Sequence, residues 1–243
     1  YGLDPNLVTM AADTLEHPIA QEYIDHPDVQ IIDFTGSPRY GRQLEQTITG
    51  KLLYTETAGL NSVVIESCEN LDETARAVAR GTCLFSAQMC TSPQNIYVPK
   101  TGISTAAGHV SFEEVAQALV DAVDTIANNP AQAAGIMGAV QAQPSVDLVE
   151  ALSSRLSEQP QARVLRRASP YKHPDYPDAR TLTPLIVSLE SGSADIYAEE
   201  HFGPVMFIIA SADGEEAVTE ATSLAREHGA ISSYLYSHSD DFC

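Results

Sequence analysis

Apolar positions along the chain follow two rhythms. Eight short runs, at 29–34, 52–55, 62–66, 95–98, 163–166, 185–189, 205–210 and 233–236, are dense in β-branched and aliphatic residues. Several of them are near-continuous, as in parallel strands covered on both faces. Between them the spacing shifts to three and four residues, the period of a helix with one buried face. Val115, Leu119, Ala122 and Ile126 fall on one such face, and Val149, Leu152 and Leu156 on another. Asn70 with Glu73, and Ser111 with Glu114, are placed as capping boxes. Asn128-Asn129-Pro130 predicts a helix end, and Ser145 is placed to cap the next helix. Asp213 with Glu216 predicts a further start, and Gly229 a left-handed close. The alternation predicts an α/β fold with a mainly parallel sheet flanked by helices.

Composition narrows the function classes. The 243 residues carry 33 acidic against 13 basic side chains, a formal net charge of -20. A nucleic-acid partner draws on clustered Lys and Arg, so that class is disfavoured, as is docking on an anionic membrane. No apolar run has the length of a membrane span. The four cysteines, Cys68, Cys83, Cys90 and Cys243, show neither CxxC pairing nor metal-ligand spacing. A reducing, cytoplasmic setting fits them best. The stretch 168–180, rich in Pro, Tyr, Asp and His, predicts a surface loop. His173 and its neighbouring aspartates are too irregularly spaced for a metal site, and no metal is expected.

Three segments carry candidate chemistry. Phe34-Thr35-Gly36-Ser37-Pro38-Arg39-Tyr40-Gly41 follows a strand and opens a helix. A glycine at such a turn lets backbone N–H groups approach a phosphate at the helix N-terminus, and Ser37 adds a hydroxyl donor. A strand ending in a Gly-Ser turn is common, however, and is weak evidence alone. Tyr54-Thr55-Glu56-Thr57-Ala58-Gly59 puts Glu56 at a strand end, where ligands bind in open α/β sheets. A poorly solvated carboxylate there can serve as a base near neutral pH, and a strand-end glutamate facing water is the commoner arrangement. Ser86-Ala87-Gln88-Met89-Cys90-Thr91-Ser92-Pro93-Gln94-Asn95 puts Cys90 in a turn between a helix and a strand. Backbone donors in such a turn favour a thiolate and can hold an oxyanion. A lone cysteine is more often a buried inert thiol, the reading kept for Cys68 and Cys83.

In order and spacing, with Glu56 and Cys90 standing 34 positions apart, these segments resemble the aldehyde dehydrogenase superfamily. That family has a Phe-Thr-Gly-Ser turn, a Glu-x-Gly-Gly strand end and a Gly-Gln-x-Cys loop. Its Glu-Glu-x-Phe-Gly-Pro motif is matched by Glu199-Glu200-His201-Phe202-Gly203-Pro204, and Gly135-Ile136-Met137-Gly138 sits at its Met-Gly turn. The Cys-Thr-Ser-Pro-Gln-Asn wording resembles its phenylacetic acid degradation (PaaN) branch. Ala58 and Ala87 depart from the pattern, each standing where the family has glycine.

The resemblance implies an aldehyde dehydrogenase-like catalytic domain over 58–243 and the last part of a Rossmann-like cofactor domain over 1–57. It implies NAD or NADP as cofactor, with Gly36, Ser37 and Gly41 at the cofactor turn. Glu200 would bind the nicotinamide ribose and Phe202 pack beside the nicotinamide ring. Cys90 would be the nucleophile and Glu56 the base. The substrate would be a small aldehyde, in one reading a CoA-linked semialdehyde, and the full-length protein a homo-oligomer. The same resemblance implies a C-terminal piece lacking an N-terminal half, its oxyanion-hole asparagine and a terminal oligomerisation segment, and inactive by itself. Two other classes remain open. One is a cysteine-dependent thioester or ring-opening hydrolase using Cys90, Glu56 and a histidine such as His201; the other is a non-catalytic binding module.

Overall fold

A computed structural model describes every residue except Tyr1, Leu3, Leu15, Ala58, Asp241 and Cys243. The Ala58 and Cys243 readings therefore lie outside the described residues. The chain divides into two compact units, Tyr1–Thr57 and Ala58–Cys243.

In the N-terminal unit, β1 (Ile31–Gly36) and β2 (Leu52–Thr57) pair in parallel, with Ile31 opposite Leu52 and Gly36 opposite Thr57. The short α1 (Ala20–Asp25) precedes them, and α2 (Pro38–Thr47) connects them. Lys51 anchors the loop after α1 by donating to the carbonyls of Ile24 and His26. Ile31, Leu52 and Tyr54 are exposed. The two-faced burial expected of the strands does not extend to this pair.

In the C-terminal unit a six-stranded sheet runs β11–β3–β5–β10–β9–β8. Its strands are β3 (Ser62–Ile65), β5 (Asn95–Pro99), β8 (Ala162–Arg166), β9 (Leu185–Glu190), β10 (Val205–Ser211) and β11 (Ser233–Tyr236). All neighbours are parallel except β8, which runs antiparallel to β9 along one edge. The period of two in β10 divides the core. Met206, Ile208 and Ala210 face one layer, and Val205, Phe207 and Ile209 the other. The first layer holds α3 (Leu71–Cys83) and α4 (Phe112–Ala127). The second holds α6 (Gln143–Ser157), α7 (Ala194–Tyr197) and α8 (Gly214–His228). Each fully buried Val, Ile or Phe contributes roughly 1.5–3 kcal/mol, so this double-sided sheet carries most of the unit's stability.

All eight expected strands are present, with β1 displaced two residues toward its C-terminal end. Three short ones were not foreseen: β4 (Ser67–Cys68), β6 (Ile103–Thr105) and β7 (Gly108–Val110) form a separate small sheet. Their two or three residues are too short to show a period. The helix starting at Pro130 was missed for a related reason: Asn129, expected to end a helix, also caps α5 (Pro130–Ile136) by accepting from Ala131 and Gln132.

Ser111 and Glu114 form the complete capping box, and Asn70 makes half of one by accepting from Glu73 N. Ser145 is not a cap. The α6 helix begins at Gln143 with Pro144 in its first turn, yet Val149, Leu152 and Leu156 share its buried face as expected. Gly229 ends α8 at φ 81° but ψ 154°, so only its φ is left-handed. That conformation suits its second task, because the Gly229 carbonyl accepts from Leu60 N at 2.8 Å. The 168–180 stretch is irregular, and it is tethered by Tyr171, whose hydroxyl donates to Gly138 O at 2.6 Å.

Candidate active site

The loop bearing Cys90 joins α3 to the amino end of β5, a central strand of the sheet. It begins with an unusual turn. Phe85, Ser86 and Ala87 all have positive φ, at 51°, 55° and 52°, where β-carbons crowd the backbone. Side-chain bonds hold the turn. The buried Ser86 hydroxyl donates to Met137 O at 3.0 Å. Gln88 Nε2 donates to Phe85 O at 2.9 Å and to Ala139 O at 3.0 Å, while its Oε1 accepts from Gln141 N at 2.8 Å. The Gly135–Gly138 stretch flagged in the sequence thus supplies the far anchor of this turn.

Cys90 is exposed, whereas Cys68 and Cys83 are buried, as expected of structural thiols. Burial pushes the Cys83 thiol up to about 12. The carbonyls of Met89, Cys90 and Thr91 are all hydrogen-bonded. Met89 O accepts from Ser92 N at 3.0 Å, Cys90 O from Asn61 Nδ2 at 2.7 Å and Thr91 O from the Ser232 hydroxyl at 3.0 Å. A trans peptide sets the Cys90 N–H opposite Met89 O. Among the described residues nothing accepts a hydrogen bond from it. An exposed thiol beside an uncommitted backbone donor is the pair that acyl chemistry requires.

The same loop builds a shallow crevice. Met89, Ser92 and Pro93 line one side, and Glu200, Phe202 and Gly203 the other. Gln94 ties the sides together. Its Oε1 accepts from His201 N at 2.8 Å and its Nε2 donates to Glu199 O at 3.0 Å. Asn95 Nδ2 adds a bond to Tyr197 O at 3.0 Å. The Pro-Gln-Asn end of the Cys90 segment thus fixes the acidic Phe-Gly-Pro segment, a role that sequence order alone did not reveal. Burial pushes the Glu200 carboxyl up to about 7, and the Phe202 ring remains 43% exposed.

His201 does not serve as a base for Cys90. It is buried, its ring packs edge-on against Phe207, and its Nε2 faces Ile196 O at 3.5 Å. Burial holds its imidazole below the usual range. The thiol hydrolase reading therefore loses its named histidine.

In the N-terminal unit, Gly36 ends β1 and Ser37 caps α2. The Ser37 hydroxyl oxygen accepts from Tyr40 N at 3.3 Å, a bond that leaves its O–H donor unused. Two glycines keep this turn tight. A β-carbon on Gly36 would lie 2.5 Å from the Phe34 ring, and one on Gly41 2.6 Å from the Thr57 methyl. Glu56 lies on β2 and is exposed, the water-facing of the two arrangements open to it. Side chains alternate along a strand, and Glu56 falls on the same uncovered face as Leu52 and Tyr54. Among the described residues no cluster of His, Cys, Asp and Glu has the arrangement of a metal centre, and no helix is long and apolar enough to cross a membrane.

Residues 1–238 match the model of the aldehyde dehydrogenase family. A solved NAD-dependent aldehyde dehydrogenase from Burkholderia multivorans is 39% identical and superposes with a TM-score of 0.86 over 91% of this chain and 39% of its own. An NAD-dependent benzaldehyde dehydrogenase from Corynebacterium glutamicum shares the fold at 22% identity and a TM-score of 0.70, over 99% of this chain and 49% of its own. N-succinylglutamate 5-semialdehyde dehydrogenase of Yersinia pestis is 29% identical over 218 residues, 88% of this chain and 39% of that protein. The chain thus spans 39% of the length of the curated relatives it matches. With nearly all of its length matched to the family model, the chain belongs to the aldehyde dehydrogenase family.

Proposed function

We propose that the chain contributes the thiol centre of an NAD- or NADP-dependent oxidation of an aldehyde to a carboxylic acid, in the full-length protein. The supporting observation is Cys90 itself: an exposed thiol on a loop whose carbonyls are hydrogen-bonded, with its own N–H uncommitted among the described residues. The Cys90 sulfur attacks the aldehyde carbon as a thiolate, forming a C–S bond, and the Cys90 N–H donates to the resulting oxyanion. Bound NAD or NADP supplies the hydride acceptor that turns this adduct into a thioester.

The crevice beside the loop fits such a cofactor chemically. Glu200 offers a carboxylate acceptor for ribose hydroxyls, and Phe202 an exposed aromatic face for a flat ring. Gly36, Ser37 and Gly41 form a tight turn at the amino end of a ten-residue helix, suited to a phosphate. Glu56 is the base that activates water to hydrolyse the Cys90 thioester, and the thiol and the acid are released. The relative acting on N-succinylglutamate 5-semialdehyde, together with the PaaN-like Cys-Thr-Ser-Pro-Gln-Asn segment, favours a semialdehyde substrate, one of the phenylacetic acid pathway and CoA-linked in that reading. We further propose a cytoplasmic homo-oligomer.

The test is kinetic. In the full-length protein, Cys90→Ala abolishes aldehyde oxidation, and Glu56→Gln gives a burst of reduced cofactor followed by a stall. Normal turnover by Cys90→Ala would end this assignment, and burst-free steady turnover by Glu56→Gln would remove Glu56 from it.

A further inference from the structure

We infer that Asn61 is a positioning residue for the Cys90 thiol, coupling the nucleophile loop to the junction between α8 and β11. The inference rests on Cys90 being the nucleophile and adds a residue to which no role had been given.

Asn61 lies just before β3 and is 2% exposed. Its carboxamide makes every bond it can. Nδ2 donates to Cys90 O at 2.7 Å and to Ser92 O at 3.1 Å. Oδ1 accepts from Ile231 N and Ser232 N, both at 2.9 Å. An asparagine side chain has two donor hydrogens and two acceptor lone pairs, and all four are used. The arrangement also fixes the amide's orientation, because a flipped amide would set nitrogen against two N–H groups and oxygen against two carbonyls. The Asn61 main-chain carbonyl adds to the hold, accepting from Gln94 N at 3.1 Å and Asn95 N at 3.3 Å.

The effect falls on three successive carbonyls. Asn61 holds those of Cys90 and Ser92, and Ser232, itself held by Asn61, bonds the one between them. With these peptide planes fixed, the backbone that carries the thiol cannot rotate without breaking buried bonds, each costly to leave unmade. Other side chains cannot substitute. Serine is too short to span both loops, aspartate has no donor for the carbonyls, and glutamine is one methylene too long for a packed site.

This arrangement separates placement from binding. The Ile231–Ser232 side needs an acceptor and the Cys90–Ser92 side needs a donor, so Asn61→Asp keeps the first and reverses the second at almost constant volume. In the full-length enzyme, Asn61→Asp is expected to lower kcat on the order of tenfold to a hundredfold, with the cofactor KM within about twofold of the parent. The rate of Cys90 alkylation by iodoacetamide should shift by about fivefold or more, which a merely stabilising side chain would not cause in a protein that remains folded. Parental kcat and parental alkylation in a folded Asn61→Asp protein overturn the inference. Should that variant not fold, the unmutated protein decides: alkylating Cys90 must move the Asn61 side-chain amide resonances, and unmoved resonances overturn it equally. An inactive Cys90→Ala with an unaffected Asn61→Asp sinks only this inference, whereas an active Cys90→Ala sinks the nucleophile assignment as well.

Discussion

Cys83 and Cys90 sit at the two ends of one short connection, and their surroundings could hardly differ more. Cys83 closes α3 inside hydrocarbon at 0% exposure, packed with residues of α4 and the sheet. Nothing there favours a thiolate except the distant charge of Arg166, and desolvation dominates, taking the thiol up to about 12. Cys90 lies beyond a left-handed turn and is exposed, and its backbone is held by hydrogen bonds instead of apolar contacts. The lesson is that packing and display are achieved by different means. A buried thiol needs only neighbours that exclude water, but a displayed one needs its peptide groups tied down so that sulfur alone faces outward.

The largest consequence is chemical selectivity. A thiol with its pKa near 12 is ionised to roughly one part in 10⁵ at pH 7, and a reagent must also open the core to reach it. In the folded protein at neutral pH, iodoacetamide followed by peptide mapping should therefore label Cys90 and leave Cys83 unmodified, a rate ratio on the order of 10³ or more. Denaturation should remove the contrast. Comparable labelling of both thiols in the native protein would mean that the α3 core opens readily, and the contrast would fail.

A half-buried group beside the same loop tests the intermediate case. Burial raises the Glu200 carboxyl to about 7, from an ordinary value near 4.5. Between those two values the folded protein holds a proton that the unfolded chain has released. Glu200 thus contributes stability that is fully present below about pH 4.5 and is lost as pH rises through about 7. The slope is at most about 1.4 kcal/mol per pH unit and is reduced by the water that reaches this carboxyl. Glu200→Gln should flatten the difference in unfolding free energy between pH 5 and pH 7, measured by urea denaturation at each pH. Parallel curves for parent and variant would show that the crevice solvates Glu200 fully.

Much of this was legible in the sequence. The runs that became β3, β5, β9 and β10 announce themselves because both faces of those strands are covered, which forces unbroken apolar residues. Caps such as Ser111 are legible because the capping bonds are local. The segments bearing Cys90 and Glu200 were singled out by motif and order, and Met89 and Ser92 of the first line one crevice with Glu200 of the second. What escaped is long-range and polar. Asn61 bonds to residues near 90 and 231, and Gln94 to residues near 200, partners that no local pattern identifies. Ser145 misled because any serine before an apolar run looks like a cap, whereas Pro144 in the first turn had already set the start of α6. Glu56 was open to a buried or a water-facing reading from its strand alone, and alternation along β2 puts it on the uncovered face with Leu52 and Tyr54.

The smallest expected effect concerns what the left-handed turn itself costs. At Ala87 φ is 52°, where a β-carbon is strained by roughly 1–2 kcal/mol and glycine is not. Two terms oppose the gain from Ala87→Gly: the methyl is buried at 6% exposure, and glycine adds about 0.5–1 kcal/mol of conformational freedom to the unfolded chain. With about 0.8 kcal/mol for the buried methyl, these terms reach about 1.3–1.8 kcal/mol, which the strain exceeds only in the upper part of its range, and Ser86 and Gln88 hold the turn at that strain whatever stands at position 87. Ala87→Gly should therefore stabilise the protein by at most about 0.7 kcal/mol, a rise in Tm of about 1–3 °C, read by thermal or urea unfolding. The close packing that surrounds Cys83 does not extend to this position, since the methyl of Ala87 borders the crevice and not the α3 core. A destabilised Ala87→Gly would show that the methyl's contacts in the crevice outweigh the backbone strain, and that the loop displaying Cys90 is held by packing after all.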